Sequence, residues 1–292
     1  MITFPNAKIN LGLQVLRKRP DGYHEVRSVM VPVAISDVLE IILRPVSWKP
    51  LEDAGLVPAF ADEKIVFYST GIPINGLPET NLCIKAARLF ISEMPFPEKI
   101  EMHLHKIIPH GAGLGGGSSD AANVLLLLNK LTGNRAGDSH LEEMASALGS
   151  DCPFFIRNRP AIASGRGEIL VPFKLDLASY TICIAKPLVA VSTAEAYTSV
   201  TPVMHELSPE KMLGEEIALW QDTVINDFEK WARKRYPEID TLIETIKEAG
   251  AVYVAMSGSG SAVFGIFKGA VPNINASEGT FIWTGSALPA KG

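Results

Sequence analysis

Between Pro109 and Asn129 the chain reads PHGAGLGGGSSDAANVLLLLN: five glycines from 111 to 117 run without a break into an aliphatic stretch at helical spacing. A glycine-rich turn that feeds a helix N-terminus makes an anion site, because the first-turn N–H groups have no intrahelical partner and the helix dipole favours negative charge. Phosphate is the guest this chemistry suits. Glycines let the backbone approach its oxygens, and Ser118 and Ser119 add hydroxyl donors. Phosphoryl transfer to an alcohol further needs a nucleophile relieved of its proton, positive charge near the transferring group and aligned reactants. Asp151 follows the helix stop Gly149 and precedes Pro153, so its carboxylate can project from a restrained turn. Lys8, in the strand-like NAKIN, is an ammonium among apolar neighbours that could hold Asp151 ionised and lower the pKa of a hydroxyl.

Further residues could recognise a substrate. Asn10 is one side-chain repeat along from Lys8 and shares its face. Tyr23 and His24 follow the turn Pro20-Asp21-Gly22, where a ring can stack on a base and an imidazole or its backbone can read a pyrimidine edge. Thr193 and Tyr197, four apart in VSTAEAY, fall on one helical face. Each has a plainer role open to it. Lys8 and Asp151 could form an ordinary ion pair or a helix cap, Asn10 a satisfied strand amide, Tyr23 and His24 surface decoration, and Thr193 and Tyr197 a cap and a core aromatic.

Three other readings of the loop compete with a phosphate cradle. Gly111, Gly113 and Gly116 satisfy G-x-G-x-x-G, yet the dinucleotide version wants an acidic residue about 20 positions on at the next strand, where this chain has a helix end. A Walker A loop needs Gly-Lys-Ser/Thr, and GGGSSD holds no lysine. A structural linker has no reason to feed directly into a long aliphatic helix.

The elements that must position these residues follow from patterning. KINLGLQVL, VRSVMVPVAI and DVLEIIL read as strands, the first two joined as a hairpin by the Pro-Asp-Gly turn. TNLCIKAARLFISEM reads as a helix capped by Thr80, and alternation from Ile100 to Ile107 as a half-buried strand entering the loop. Helices are expected over 118–132, ending at Gly133, and over SHLEEMASALG, capped by Ser139 and stopped by Gly149. Beyond about residue 160 the pattern restarts with strands in ASGRGEIL and YTICIAKP, helices around 193–200 and 208–248, and a hairpin in VYVAMSGSGSAVFGIF. A boundary near 158–162 is therefore expected. No pattern can be assigned to 46–60.

The totals narrow the class. The chain has 292 residues, 47% of them hydrophobic, enough for one large or two smaller domains. A net charge of −5 gives no global reason to meet nucleic acid or an anionic membrane, so an anionic ligand must be held by local donors. Cys83, Cys152 and Cys183 are an odd number with no C-x-x-C pair, which argues against a disulfide framework or structural zinc and fits a reducing cytoplasm. No signal-peptide pattern is read at the start, and no apolar run approaches the roughly 20 residues of a membrane span. A soluble cytoplasmic protein is expected.

With the loop read as PHGAGLGGGSSDAA, the sequence resembles the GHMP kinases, whose shared motif is P-x-x-x-G-L-G-S-S-A-like. The doubled glycines and the SSDAA ending look more narrowly like the branch that phosphorylates a cytidyl-diphosphate alcohol for isoprenoid precursors. Further matches are PNAKINLGLQVLRKRPDGYHEV, NLCIKAA, LGSDCPFFI, SGRGE and SGSGSAVFG, in order across most of the chain. The resemblance implies an α+β fold: a ribosomal-protein-S5-like lobe over 1–160 and a ferredoxin-like lobe over 161–292, with ATP between them. It implies Asp151 as general base paired with Lys8. Nucleotide contacts would come from Pro109, His110, Gly111, Ala112, Gly113, Leu114, Gly115, Gly116, Gly117, Ser118 and Ser119, with Lys106 and Asn81 near the adenine or ribose. Gly258 and Ser259 would face the phosphate loop. Asn10, Tyr23, His24, Thr193 and Tyr197 would bind the cytidyl substrate, Tyr23 and His24 clamping the cytosine ring.

Mg²⁺ is expected with ATP, and it needs few protein ligands because it binds mainly through phosphates. Ser119, and less so Asp120, is a candidate ligand, and neither is assigned. His110 and Ala112 stand where the family tends to have other small or apolar residues. Homoserine, mevalonate or a sugar is the neighbouring choice of acceptor, and PDGYHE favours a substrate with a base. A non-catalytic nucleotide-binding regulator would have no need of both Lys8 and Asp151. The dehydrogenase alternative lacks its ribose carboxylate.

Overall fold

The computed structural model describes residues 1–50, 57–74 and 76–288; part of the unassigned stretch 46–60 lies outside them. Contacts divide the chain into two compact units, one of residues 1–6, 36–110 and 115–157, the other of residues 7–35, 111–114 and 158–292. Relative to a cut at 160/161, this grouping moves residues 7–35 and 111–114 to the later residues. Sheet pairing is the reason: the strands Asn6–Lys18 and His24–Ser36 are continued by Ala161–Ser164 and Ile169–Pro172 in one four-stranded sheet.

In the first unit a five-stranded sheet runs in the order Ile2–Thr3, Val38–Arg44, Lys99–Lys106, Ile65–Gly71, Phe60–Ala61. Lys99–Lys106 is antiparallel to Val38–Arg44 and parallel to Ile65–Gly71. The parallel pair requires a crossover. The helix Leu82–Glu93 supplies it, burying Ile84, Ala87 and Phe90. Its cap is Asn81, whose side chain accepts from Cys83 N at 2.8 Å, so Thr80 does not cap it; Thr80 ends a short 3₁₀ turn, Pro78–Thr80. The next helix is Gly116–Leu131, starting two residues before the expected 118. Asp138–Leu148 follows, with Gly137 at its N-cap making no side-chain bond, so Ser139 lies inside the first turn rather than capping it. The short helix Cys152–Arg157 completes the unit.

In the second unit the other four-stranded sheet is ordered Tyr253–Met256, Val263–Lys268, Tyr180–Lys186, Phe281–Gly285, and all its pairings are antiparallel. Helix Pro237–Glu248 buries Ile239, Leu242, Ile243 and Ile246 in a core with Val254, Met256, Val263 and Phe267. The span 208–248 is broken into Pro209–Met212, Ile217–Leu219, Trp220–Thr223, Glu229–Arg235 and Pro237–Glu248. Pro209 and Pro237 open helices at the position where a missing N–H costs nothing. Between them Asn226 leaves helical conformation to form a parallel bridge with Leu13.

All three cysteines are free and buried. Burial pushes the Cys83 thiol well above its ordinary range, Cys152 to about 12 and Cys183 to about 11. No helix among the described residues is long and apolar enough to cross a membrane.

Candidate active site

The alternating glycines have a conformational cause. Gly111, Gly113 and Gly115 take φ values of 57°, 73° and 70°, the left-handed region that side chains disfavour. Gly115 is the N-cap, so Gly116, Gly117 and Ser118 present first-turn amides with no intrahelical acceptor, while Ser119 N already donates to Gly115 O. Gly116 is glycine for a different reason from the one the sequence suggests. A Cβ there would come within 2.8 Å of Ile108 Cγ2 and 3.2 Å of Lys106 Nζ, so its missing side chain lets the helix start sit on its own floor. Gly117 faces open space except for Leu82 Cδ1 at 3.9 Å.

Residues 111–113 are laced to the turn 257–262. Ser261 N and Ala262 N donate to Gly111 O and Ala112 O at 3.4 and 3.1 Å, and Ser257 Oγ donates to Gly113 O at 2.9 Å. Lys8 is buried in the strand Asn6–Lys18, and its ammonium donates to Asn10 Oδ1 and, at 2.9 Å, to Gly113 O. Asn10 is tied in further: Nδ2 donates to Ser28 Oγ at 2.9 Å, and its backbone N–H to Ser257 Oγ at 3.3 Å. The structure therefore brings Lys8, Asn10, Gly113 and Gly258 together, a Cβ on Gly258 falling 3.4 Å from Asn10 Oδ1. Behind the turn, Asn226 Nδ2 donates to Met256 O and Gly258 O, both at 2.8 Å, and Glu229 accepts from Met256 N at 2.7 Å. Sequence reading missed Asn226, an amide in an unremarked connection. A Cβ on Gly113 would lie 1.9 Å from Ser257 O. Gly113→Ala is thus expected to cost about 1–3 kcal/mol from the positive φ alone and to raise KM for the phosphate donor; a folded variant with unchanged donor KM counts against this lacing.

Beneath the helix start lies a buried triad. Lys106 continues the inward alternation Ile100, Met102, Leu104 and is 1% exposed, not solvated. Its ammonium donates to Asp37 Oδ2 and, at 2.8 Å, to Asp120 Oδ2. Asp37 Oδ1 also accepts from Ile107 N and Ile108 N at 2.5 and 2.8 Å, clamping the chain where it leaves the strand for the loop. Burial works against the charge on Lys106, but the carboxylates of Asp120 and Asp37 outweigh it and raise its pKa. Two carboxylates share one ammonium, and Asp37 has two amide donors besides. Burial pushes the Asp120 carboxyl up to about 7 against the pull of Lys106. Because that folded-state value lies above the ordinary 3.8, the folded chain holds this proton longer than the unfolded one, and the contribution to stability is lost as pH rises from about 4 to 7. The Tm of Asp120→Asn relative to the parent should accordingly rise across that window, whereas a pH-independent difference rules the assignment out.

Beside the triad a cavity of about 520 Å³ opens within the first unit, walled by Phe67, Ile72, Leu77 and Leu82, with Asn81, His110, Gly117 and Asp120 among its polar and backbone lining. Two oxygens at the helix start, Ser119 Oγ and Asp120 Oδ1, are buried without a hydrogen-bond partner among the described residues.

In the second unit the proposed base-recognition residues fall into two ring contacts. His24 stacks on Tyr197 with centroids 5.1 Å apart and planes at 19°, and Tyr197 in turn meets Phe228 edge-on at 4.9 Å. Tyr23 is exposed, and the Arg166 guanidinium stands 5.0 Å from its ring centroid. Arg166 belongs to the motif SGRGE. Thr193 opens the helix Thr193–Ser199 behind the cap Ser192, and its hydroxyl lies 3.0 Å from Ser259 Oγ. Asp151 belongs to the first unit, half-buried in the turn between Gly149 and the helix Cys152–Arg157.

A glycine-rich loop that ends at a helix start with unpartnered first-turn amides is the local arrangement of a phosphate site, as a phosphotransferase of the small-molecule kinase class needs. The sequence matches the family GHMP kinases N terminal domain over residues 81–159 and GHMP kinases C terminal over residues 204–276. It is 45% identical over 268 residues, 92% of each chain, to 4-diphosphocytidyl-2-C-methyl-D-erythritol kinase of Parabacteroides distasonis. It is 44% identical to the protein of that name from Bacteroides thetaiotaomicron, covering 98% of this chain and 99% of the other. A crystal structure of 4-(cytidine 5'-diphospho)-2C-methyl-D-erythritol kinase aligns with TM-score 0.77 at 31% identity, covering 98% of this chain and 99% of that one. The chain belongs to the GHMP kinases, and it is a small-molecule kinase with an α+β fold.

Proposed function

We propose that the protein transfers the γ-phosphoryl group of ATP to the 2-hydroxyl of 4-diphosphocytidyl-2-C-methyl-D-erythritol, a step of non-mevalonate isoprenoid precursor synthesis. The observation that carries this reading is 45% identity over 92% of the chain to a relative of that name. In the reaction Asp151 takes the proton of the 2-hydroxyl. The oxygen bonds to the γ-phosphorus as the bond to the β-γ bridging oxygen breaks, and ADP leaves. Lys8, whose ammonium donates to Gly113 O, adds positive charge beside the loop. The amides of Gly116, Gly117 and Ser118 receive phosphate oxygens, with Pro109 to Gly115, Ser119, Gly258 and Ser259 shaping the cradle. Asn81, at the cavity edge, and Lys106, below the loop, serve the nucleoside end, the latter through the clamp on Ile107 and Ile108. Asn10, Tyr23, His24, Thr193 and Tyr197 hold the cytidyl half; the His24–Tyr197 stack gives a pyrimidine a preformed aromatic edge.

Mg²⁺ supplies charge neutralisation on the phosphates when bound. Among the described residues no group of three or more His, Cys, Asp or Glu could cage a metal, but the unpartnered oxygens of Ser119 and Asp120 are the hard donors this ion takes, and they would hold it.

ADP release measured on a panel of alcohols with and without a cytidyl-diphosphate group tests the assignment. Turnover confined to the cytidyl alcohol, with phosphorus NMR locating a new phosphomonoester at the 2-position, is expected. Comparable turnover on homoserine, mevalonate or a sugar would move the chain to another acceptor.

A further inference from the structure

Asn226 is buried in the second unit, 5% exposed, and the reaction above leaves it without a task. Its backbone is pinned to the strand Asn6–Lys18, which carries Lys8 and Asn10. Leu13 N donates to Ile225 O at 3.0 Å and Asp227 N to Leu13 O at 2.8 Å, on either side of the bridge between Leu13 and Asn226. From that fixed point the carboxamide accepts from Phe228 N at 3.0 Å through Oδ1 and sends both its N–H groups across to the turn, to Met256 O and Gly258 O. Those two carbonyls bracket Ser257 and Gly258, so their direction sets where these residues stand. Losing either bond leaves a buried acceptor unpaired, which makes the amide a constraint on the shape of the turn.

The contacts of Ser257 and Gly258 say what that shape serves. The Ser257 hydroxyl donates to Gly113 O, which the Lys8 ammonium also reaches, and accepts from Asn10 N. A Cβ on Gly258 would stand 3.2 Å from Gly113 Cα, so the backbones of turn and glycine loop are in contact there. We infer that Asn226 is a positioning residue for the phosphate donor: its two N–H groups fix Ser257 and Gly258, and these fix the loop backbone at Gly113. The inference rests on the reading of that loop as the donor's phosphate site and adds to it a side chain that touches neither reactant. Small displacements matter at such a site, because its contacts hold only within about 0.5 Å of their geometry.

Asn226→Asp keeps the outline of the side chain and the acceptor for Phe228 N but turns an ionised oxygen toward two carbonyls. Glu229, which accepts from Met256 N, and Asp227, which accepts from Val15 N and pairs with His205, stand on the same connection, so the variant is compared with the parent at each pH. Calorimetry gives stoichiometry and affinity for a non-hydrolysable ATP analogue and, separately, for 4-diphosphocytidyl-2-C-methyl-D-erythritol. At about pH 8 the variant should bind the analogue about tenfold more weakly, the scale of one or two lost buried hydrogen bonds, with full stoichiometry and the alcohol's affinity within about twofold. Lowering the pH to about 5.5 protonates the new carboxyl, which then donates to one of the carbonyls, and the gap from the parent should narrow. A merely structural side chain would lower the melting temperature or the stoichiometry and leave the affinity of the folded fraction alone. That result, an equal loss for both ligands, or a gap that ignores pH overturns the proposal. A parent that does not bind the analogue would instead sink the reading of the loop, and the inference with it. Should Asn226→Asp not fold, Ser257→Ala tests the same relay, because it removes the hydroxyl between the turn and Gly113 O. Weaker analogue binding with the alcohol unaffected is expected of it, and unchanged analogue affinity overturns the assignment.

Discussion

Asp151→Asn is expected to turn over its alcohol about 10²–10⁴ more slowly while binding ATP as tightly as the parent, the scale set by loss of a positioned general base. The asparagine keeps the shape and size of the side chain in the turn between Gly149 and Cys152, so the fold has no reason to respond. What changes is the group proposed to accept the hydroxyl proton. Nucleotide affinity is the internal control, because the proposed phosphate contacts are backbone amides that the substitution leaves alone. Turnover near that of the parent would remove Asp151 from the role, and a parallel fall in ATP affinity would point to a collapsed loop instead.

Lys106→Met should produce the largest loss of stability, about 3–5 kcal/mol, the usual cost of removing one partner from a buried ion pair. The cation is 1% exposed, and its two carboxylate partners are 0% and 3% exposed at the side chain. Methionine matches the length of the stem but leaves two buried acids facing each other. Asp37 retains its amide donors from Ile107 and Ile108, so the strain falls mainly on Asp120. Adding Asp120→Asn to Lys106→Met should therefore recover a sizeable part of the loss, and thermal melts of the two single variants and the double variant give the coupling. A melting temperature within a degree or two of the parent for Lys106→Met would show that the triad is not holding the helix start.

Much of this arrangement is legible in the chain. The alternation of KIEMHLHK places Ile100, Met102 and Leu104 inward, and the hairpin turn at Pro20-Asp21-Gly22 follows from local chemistry alone. The same alternation carries Lys106 inward. Its partners could not be found that way. Asp37 and Asp120 lie 69 and 14 positions from Lys106, and only the sheet register and the helix start bring them to one point. The strand Ile65–Gly71 escaped notice because it is short, follows a turn-rich stretch and pairs in parallel with a strand more than thirty residues on. The broken helices of 208–248 reflect tertiary demand: Asn226 is held by Leu13, Met256 and Gly258, none of them sequence neighbours. Spacing alone suggested that every glycine of the loop yields room to phosphate. Three of them are instead required by backbone sign and one by the wall behind it.

The buried thiols have a practical consequence. Only a thiolate is alkylated readily, and each sulfur is both enclosed and held in its protonated form. Iodoacetamide therefore reaches them only as fast as the surrounding structure breathes open. Cys83 and Cys152 belong to one compact unit and Cys183 to the other. Peptide mass spectrometry of a timed labelling reaction would clock the opening of each body separately, with no probe added to the chain.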